Sequence, residues 1–332
     1  MNTLYGEKIK KLFDNVAKVS FLIIETGEHN KNFKNIIKIL EAAQKVNLSR
    51  NGLLIASGGG ILMDMVGFAA SMYRRKVDYL RIPTTLIGQI DAGIGIKTGI
   101  NFNNSKNFIG SFYPPIACIN DPKFLSTLSK KEIQNGLAEI LKMAILCDSV
   151  LFDLVENNFN KLISTKFQCS CAMEVNYRAI YEMIRELKPN FYEHSLKRLV
   201  DFGHTFSPFI ETYSNYRISH GFAVALDIAI STEISFILGK IYLKDKYRIL
   251  DLFMKIGLKI YDEETFNSNL MWESLEKITA HRGGNLNLPI PTKIGSATFL
   301  YDINDISCGI LDKAIKSLKN RSLLQEEIPN AC

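Results

Sequence analysis

Residues 52–64 read GLLIASGGGILMD, and the reading of this stretch decides the fold. Gly52–Ala56 is a short run of branched apolar residues, the pattern of a buried strand. Ser57-Gly58-Gly59-Gly60 interrupts it, and Ile61–Tyr73 resumes with helical spacing. Downstream, Tyr79–Ile82 is a second strand that stops at Pro83. Upstream, Val19–Ile24 (VSFLII) reads as a strand and Asn32–Val46 as a helix. This β-α-β-α-β order implies a parallel sheet covered by helices.

From about residue 122 the texture changes. Lys130–Leu146, Val150–Leu162, Cys169–Glu186, His204–Tyr213 and Gly221–Leu238 all carry helical periodicity. The reading is an N-terminal α/β domain over residues 1–121, with a Rossmann-like parallel sheet for a nucleotide, and a mostly α-helical domain over 122–332. Residues 286–302 hold a Pro-rich turn and a short strand, Ala297–Tyr301, and the tail after Arg321 reads as poorly ordered.

Of the 332 residues, 47% are hydrophobic and 22% charged, a globular composition long enough to bury a substantial core. The net charge is +6, but the basic residues are scattered in short groups such as Lys8, Lys10, Lys11 and Arg74, Arg75, Lys76. Nucleic-acid binders concentrate charge on one face, so no nucleic-acid partner is expected. The six cysteines form no CxxC pair. Residues 1–18 are polar and amphipathic, unlike a signal peptide, and no apolar run reads as a membrane span. A cytoplasmic protein with reduced thiols and no membrane partner is expected.

Several residues could carry chemistry. Gly58-Gly59-Gly60 lets a backbone approach a diphosphate at a helix N-terminus, or simply makes a tight turn. Asp64, one turn on, is placed to meet a ribose, a substrate hydroxyl or a cation, or to cap the helix start. Thr84 and Thr85 end a strand at the carboxyl edge of the sheet, where open α/β folds bind ligands, or form a plain polar turn. Residues 91–107, DAGIGIKTGINFNNSKN, set Asp91, Lys97, Lys106 and Asn107 among three glycines. They read as a flexible cationic loop suited to phosphate. Glu139 in GLAEILK, His204 in DFGHTF and His220 in SHGFA make one carboxylate and two imidazoles, a common catalytic zinc set. A lone histidine is also often a satisfied core or capping residue.

Eight motifs follow in order: TGEHNK, GGGILMD, RIPTTL, DAGIGIKTGIN, KNFIG, GLAEILK, DFGHTF and HGFAVA. Together they resemble the sugar phosphate cyclase superfamily, whose best-known member is 3-dehydroquinate synthase, from about Glu25 to about Leu300. The resemblance implies the dehydroquinate synthase-like fold and two cofactors, NAD and Zn2+ (or Co2+). It implies that Glu139, His204 and His220 bind the metal, and that Glu28, Lys31, Gly59, Gly60, Asp64, Thr84 and Thr85 contact NAD. It further implies that Asp91, Lys97, Asn107 and Lys142 meet a small-molecule sugar phosphate, with Lys106 near both ligands. An arginine of the Arg74-Arg75 pair would reach a neighbouring subunit's phosphate site, so a homodimer is expected. The implied activity is that of a carbon–oxygen lyase. A sugar alcohol is oxidised by NAD, phosphate is eliminated, the hydride returns, and an intramolecular aldol step closes the carbocycle.

Departures from the dehydroquinate synthase pattern narrow the substrate. Asp201 stands where those enzymes have Asn, Pro208 where they have a second His, and Lys197 where they place an Arg for the substrate carboxylate. A carboxylate-bearing substrate thereby loses charge-assisted partners, which a Lys replaces without the bidentate fork. With PNFYEHSLKRLVDFGHTFSP and HRGGNLNLPIPT, these replacements resemble 2-epi-5-epi-valiolone synthases, which cyclise sedoheptulose 7-phosphate. His281, Arg282 and Asn285 belong to that resemblance and are expected near the site. Family members carry a further strand and helix before the segment matching Leu4–Phe13, so the first strand–helix unit, with an acidic NAD-binding residue, is expected to be lacking. Three alternatives share parts of the pattern: 3-dehydroquinate synthase itself, a non-catalytic NAD- and metal-binding relative, and a polyol dehydrogenase that would accumulate NADH.

Overall fold

Parallel strands need long crossover connections, and the first part of the chain supplies one as a helix and one through an antiparallel hairpin. The computed structural model describes residues 2–13, 16–25, 27–103 and 105–326. The chain divides into two units, Met1–Leu125 and Ser126–Cys332. In the first, the elements in order are α1 (Asn2–Phe13), α2 (Phe33–Lys45), β1 (Leu53–Gly58), α3 (Gly60–Met72), β2 (Asp78–Pro83), β3 (Lys97–Phe102), β4 (Ser105–Phe112) and β5 (Ala117–Cys118).

β1 and β2 pair in parallel, from Leu53 opposite Asp78 to Gly58 opposite Pro83, and β2 pairs in parallel with β5. The core packs Ile36 and Ile39 of α2 and Met63, Met65 and Phe68 of α3 with Ala56 and Tyr79 of the sheet. Asn32 caps α2 by accepting the Asn35 N–H at 3.2 Å, a contact worth about 1 kcal/mol.

Two expectations fail here. Val19–Ile24 joins no ladder among the described residues, and Val19, Phe21, Leu22 and Ile23 are exposed. A β-branched run favours extended backbone but does not supply a pairing partner. Residues 91–107 are not one flexible loop: they enter the antiparallel β3–β4 hairpin, where Gly99 faces Gly110. The glycines serve close strand approach there, which reads in sequence like flexibility.

The second unit runs α4 (Lys130–Cys147), α5 (Ser149–Ser164), α6 (Ala172–Leu187), α7 (Ser207–Tyr213), α8 (His220–Ile237), α9 (Leu243–Ile256), α10 (Ser268–His281), β6 (Leu288–Lys293), β7 (Ser296–Leu300) and α11 (Cys308–Glu326). α8 is apolar nearly all round and α4 is buried without a break from Ile133 to Leu146, as central helices are. α8 is long and apolar enough to cross a membrane, against the expectation of no such run, but 78% of it is buried inside the protein. α7 starts later than expected and leaves His204 in the preceding loop. Pro208 suits its first turn, where a missing N–H is harmless. The tail expected to be disordered after Arg321 is helical to Glu326.

Candidate functional site

The second unit brings Glu139, His204 and His220 together, with one ligand atom of each within 4.8 Å of the others. Each comes from a different element. Glu139 lies on α4 and is 1% exposed. His220 opens α8, and His204 sits in the loop before α7. The contact that sets the first pair is backbone against backbone. A Cβ on Gly221 would lie 2.2 Å from the Asn135 carbonyl oxygen, so only glycine lets α8 start this close to α4.

Both imidazoles are fixed by what they donate to. His204 Nδ1 lies 3.0 Å from the Phe202 carbonyl oxygen, which can only accept, so Nδ1 carries the proton. His220 Nδ1 lies 3.0 Å from Glu211 Oε1, a buried carboxylate on α7. The two Nε2 atoms therefore turn toward Glu139 Oε1, at 3.8 Å from His204 and 3.1 Å from His220. Two ring nitrogens converging on a buried carboxylate need a cation or protons among them. Neither Glu139 oxygen has a hydrogen bond of full geometry. This donor set, with carboxylate and carbonyl partners behind the rings, fits a divalent metal ion such as zinc.

Lys142 adds a second charge. Its Nζ lies 2.7 Å from Glu139 Oε2, and both side chains are buried. Burial would raise the Glu139 carboxyl, but the Lys142 ammonium, with the two imidazoles, outweighs it and holds the group well below the usual carboxylate range. Burial would lower His220, yet Glu139 and Glu211 raise it to about 9.

Asp201 is engaged by Arg198, whose Nε and Nη2 donate to Oδ2 at 3.0 and 2.7 Å. Lys197 stacks its ammonium over Phe299 and Tyr301, 5.1 and 4.8 Å from the ring centres. Burial lowers Arg282, with Asp201 and Asp227 acting against that, and its Nη1 donates to the Leu286 carbonyl at 2.9 Å. The His281 side chain lies outside the described residues. Phe222 lies under the Lys131 ammonium at 5.8 Å.

The first unit gathers most of the remaining expected residues. α3 starts at Gly60, directly after β1, with Gly59 as N-cap and no side-chain cap, so its N-terminal dipole carries no side-chain partner at the cap. Lys31, 3% exposed, donates to Asp64 Oδ2 at 2.5 Å and to Asn107 Oδ1. Asn101 ties Glu28 into the same group through Nδ2 to Oε1 at 2.8 Å, and accepts the Asn107 N–H at 2.8 Å. Thr85 Oγ1 accepts the Gly88 N–H at 3.1 Å, and the Thr84 N–H reaches the Gly58 carbonyl at 2.9 Å. The structure thus gives these two threonines the turn role as well as their place at the sheet edge. Asp91 lies in a short π-helical turn, Lys97 starts β3 and Lys106 lies in β4. Arg74 and Arg75 take positive φ of 50° and 72° and, with Arg50 and Lys76, line a surface depression.

Sequence reasoning missed three residues. Arg81, fully buried in β2, donates through Nη1 to the carbonyls of Ala92 (3.0 Å), Gly93 (3.3 Å) and Gly95, and through Nη2 to that of Lys97 (3.3 Å). It thereby fixes the segment between Asp91 and Lys97. An arginine inside an apolar strand was the available signal. Glu211 and Asp227, acids inside apolar helices, carried the same one.

With this geometry in view, the comparisons are decisive about the family. The chain belongs to the 3-dehydroquinate synthase family: residues 21–135 match its N-terminal model and 136–277 its C-terminal model. Among relatives, it is 40% identical to a 2-epi-5-epi-valiolone synthase of Streptomyces glaucescens, covering 96% of this chain and 82% of that protein. It is 37% identical to the 3-dehydroquinate synthase of Helicobacter pylori J99, covering 85% and 80%. A solved structure of ValA, the 2-epi-5-epi-valiolone synthase of Streptomyces hygroscopicus subsp. jinggangensis 5008 with NAD+ and Zn2+ bound, superimposes with a TM-score of 0.93 at 38% identity, covering 96% of this chain and 88% of that one.

Proposed function

We propose that this chain is a phosphate-eliminating cyclase that converts sedoheptulose 7-phosphate to a 2-epi-5-epi-valiolone-type cyclitol. The observation that carries the reading is the convergence of Glu139, His204 and His220 in a chain 40% identical to a 2-epi-5-epi-valiolone synthase over nearly its whole length. Glu139 and the two Nε2 atoms would hold Zn2+ or Co2+. The uncapped start of α3 at Gly59 and Gly60 would receive the NAD diphosphate, with Asp64, Lys31, Glu28, Thr84 and Thr85 around the nucleoside. When bound, these groups supply a reversible hydride acceptor and a Lewis acid for the oxygen being oxidised.

The chain's own side chains do the rest. Lys97 and Lys106 would offset the charge of the phosphorylated sugar and Asp91 and Asn107 orient its hydroxyls, while Lys142 holds Glu139 ionised. Asp201, already paired with Arg198, offers nothing to a substrate carboxylate. That, together with Pro208 and Lys197, favours a sugar whose only anion is its phosphate. The 37% identity to a 3-dehydroquinate synthase keeps that activity as the second reading. Arg74 or Arg75 would complete the phosphate site of a second copy in a homodimer.

Purified protein with NAD and Zn2+ or Co2+ should release phosphate from sedoheptulose 7-phosphate, give a seven-carbon cyclitol by NMR, and build up no NADH. Phosphate release from the dehydroquinate precursor instead would favour the second reading. Steady NADH accumulation with a polyol would overturn both.

A further inference from the structure

We propose that Asp227 is a positioning residue for the metal centre, acting on both imidazoles from within α8. The inference rests on the metal reading above and goes beyond it by naming what sets the ligand geometry. Asp227 is fully buried, two turns along α8 from His220. Its Oδ2 accepts the backbone N–H groups of Phe206 (2.5 Å) and Ser207 (2.9 Å), and its Oδ1 accepts the Ser231 hydroxyl at 3.2 Å.

Those two amides open α7, whose N-cap position has no side-chain cap of its own. A carboxylate borrowed from another helix therefore caps α7, and charge favours it at a helix N-terminus. Two consequences follow. The loop just before α7 carries His204, two residues from the Phe206 amide. Gly203, at φ 73°, lays that loop on α8, where a Cβ would lie 2.8 Å from Val224 and 3.0 Å from Ile228. α7 itself carries Glu211, which orients His220 through Nδ1. One buried carboxylate thus anchors the segment that presents one imidazole and the segment that aims the other.

The test is Co2+ binding by Asp227→Ala and Asp227→Asn, read as chelator-competition affinity and as the visible ligand-field spectrum. Ser235→Ala is the control: Ser235 is buried farther along α8 and donates to the Pro291 carbonyl. Loss of a group that orients ligands typically weakens metal affinity about 10- to 100-fold. That loss, with an altered spectrum, is expected for Asp227→Ala. Asp227→Asn, which keeps one oxygen acceptor, should fall between it and the parent, and Ser235→Ala should keep the parent spectrum. Parent-like affinity and spectrum in Asp227→Ala, or an equal loss in Ser235→Ala, would overturn the proposal. If Asp227→Ala does not fold, Asp227→Asn decides: a weaker affinity with a shifted band supports the assignment, and a parent-like band and affinity refute it. Should the parent protein take up no Co2+, the metal reading falls and this one with it. A parent that binds while Asp227→Ala binds equally well sinks this inference alone.

Discussion

Replacing Gly221 with alanine should damage the metal centre and the fold together, by amounts that the helix contact sets. The added Cβ would lie 2.2 Å from the Asn135 carbonyl oxygen, 2.6 Å from its Cα and 2.7 Å from its carbonyl carbon. Ordinary carbon–oxygen contact begins near about 3.3 Å, so α4 and α8 must separate locally by about 1 Å. All three atoms are backbone, so no rotamer change relieves the clash. Overpacking of this kind costs about 1–3 kcal/mol, and the rigid partner places Gly221→Ala toward the upper end. For a chain of 332 residues that is a fall in Tm of roughly 2–4 °C. Metal–ligand distances tolerate about 0.2 Å, and Glu139 lies one turn along α4 from Asn135, while His220 adjoins Gly221. The 3.1 Å approach of His220 Nε2 to Glu139 Oε1 therefore opens past that tolerance. Thermal melts with and without Zn2+ measure both effects, since an ion that binds the folded chain stabilises it by RT ln(1 + c/Kd), where c is the free Zn2+ concentration. The variant should melt lower and lose most of the Zn2+-induced gain. An unchanged Tm with a full Zn2+ gain would show that α8 does not need glycine at its start, and the reasoning would be wrong.

Burial pushes the Asp227 carboxyl up to about 6 from 3.8, against hydrogen bonds from Ser207, Phe206 and Ser231. A raised folded-state pKa means that its contribution to stability is complete below about pH 3.8 and lost as pH rises through about 6, a total of about 3 kcal/mol. Asp227→Asn cannot titrate, so its stability relative to the parent should rise across that window and then level off, with nearby charges such as Arg282 cancelling in the difference; matched urea midpoints that show a flat difference would count against it. Arg81→Lys keeps the charge but loses the fork that reaches four carbonyls, and should lower stability by about 1.5–3 kcal/mol and raise KM for the sugar phosphate. An unaltered urea midpoint would exclude that role. Asp64→Ala takes from the buried Lys31 ammonium its partly exposed carboxylate partner and should destabilise the protein by about 1–3 kcal/mol, more than Lys31→Met does, while both weaken NAD binding by calorimetry; the opposite order of stabilities would contradict the pairing.

How much of this was legible in advance depends on what each signal encodes. The strand–glycine–helix succession around Gly58 was readable because period and punctuation are local properties. Glu139, His204 and His220 could be proposed because histidine is scarce and two copies sit beside glycine. Val19–Ile24 failed because composition says that a segment prefers to be extended and nothing about whether a neighbour offers hydrogen bonds. The hairpin after Lys97 was hidden because glycine that permits close strand approach looks the same as glycine that permits motion. Glu211 and Asp227 were present as acids in apolar helices, but their partners lie 9 residues away in one case and 20 and 21 in the other, and only the folded chain pairs them.

The buried ammonium of Lys142 has one more consequence. One turn from Glu139 and 2.7 Å from its Oε2, that charge offsets the carboxylate. A monovalent ion offers such a well no more charge than the lysine does, and must still shed its water. With the carboxylate charge offset, the pull on an ion comes from the donors rather than from net charge, which favours ions that bond well to imidazole nitrogen.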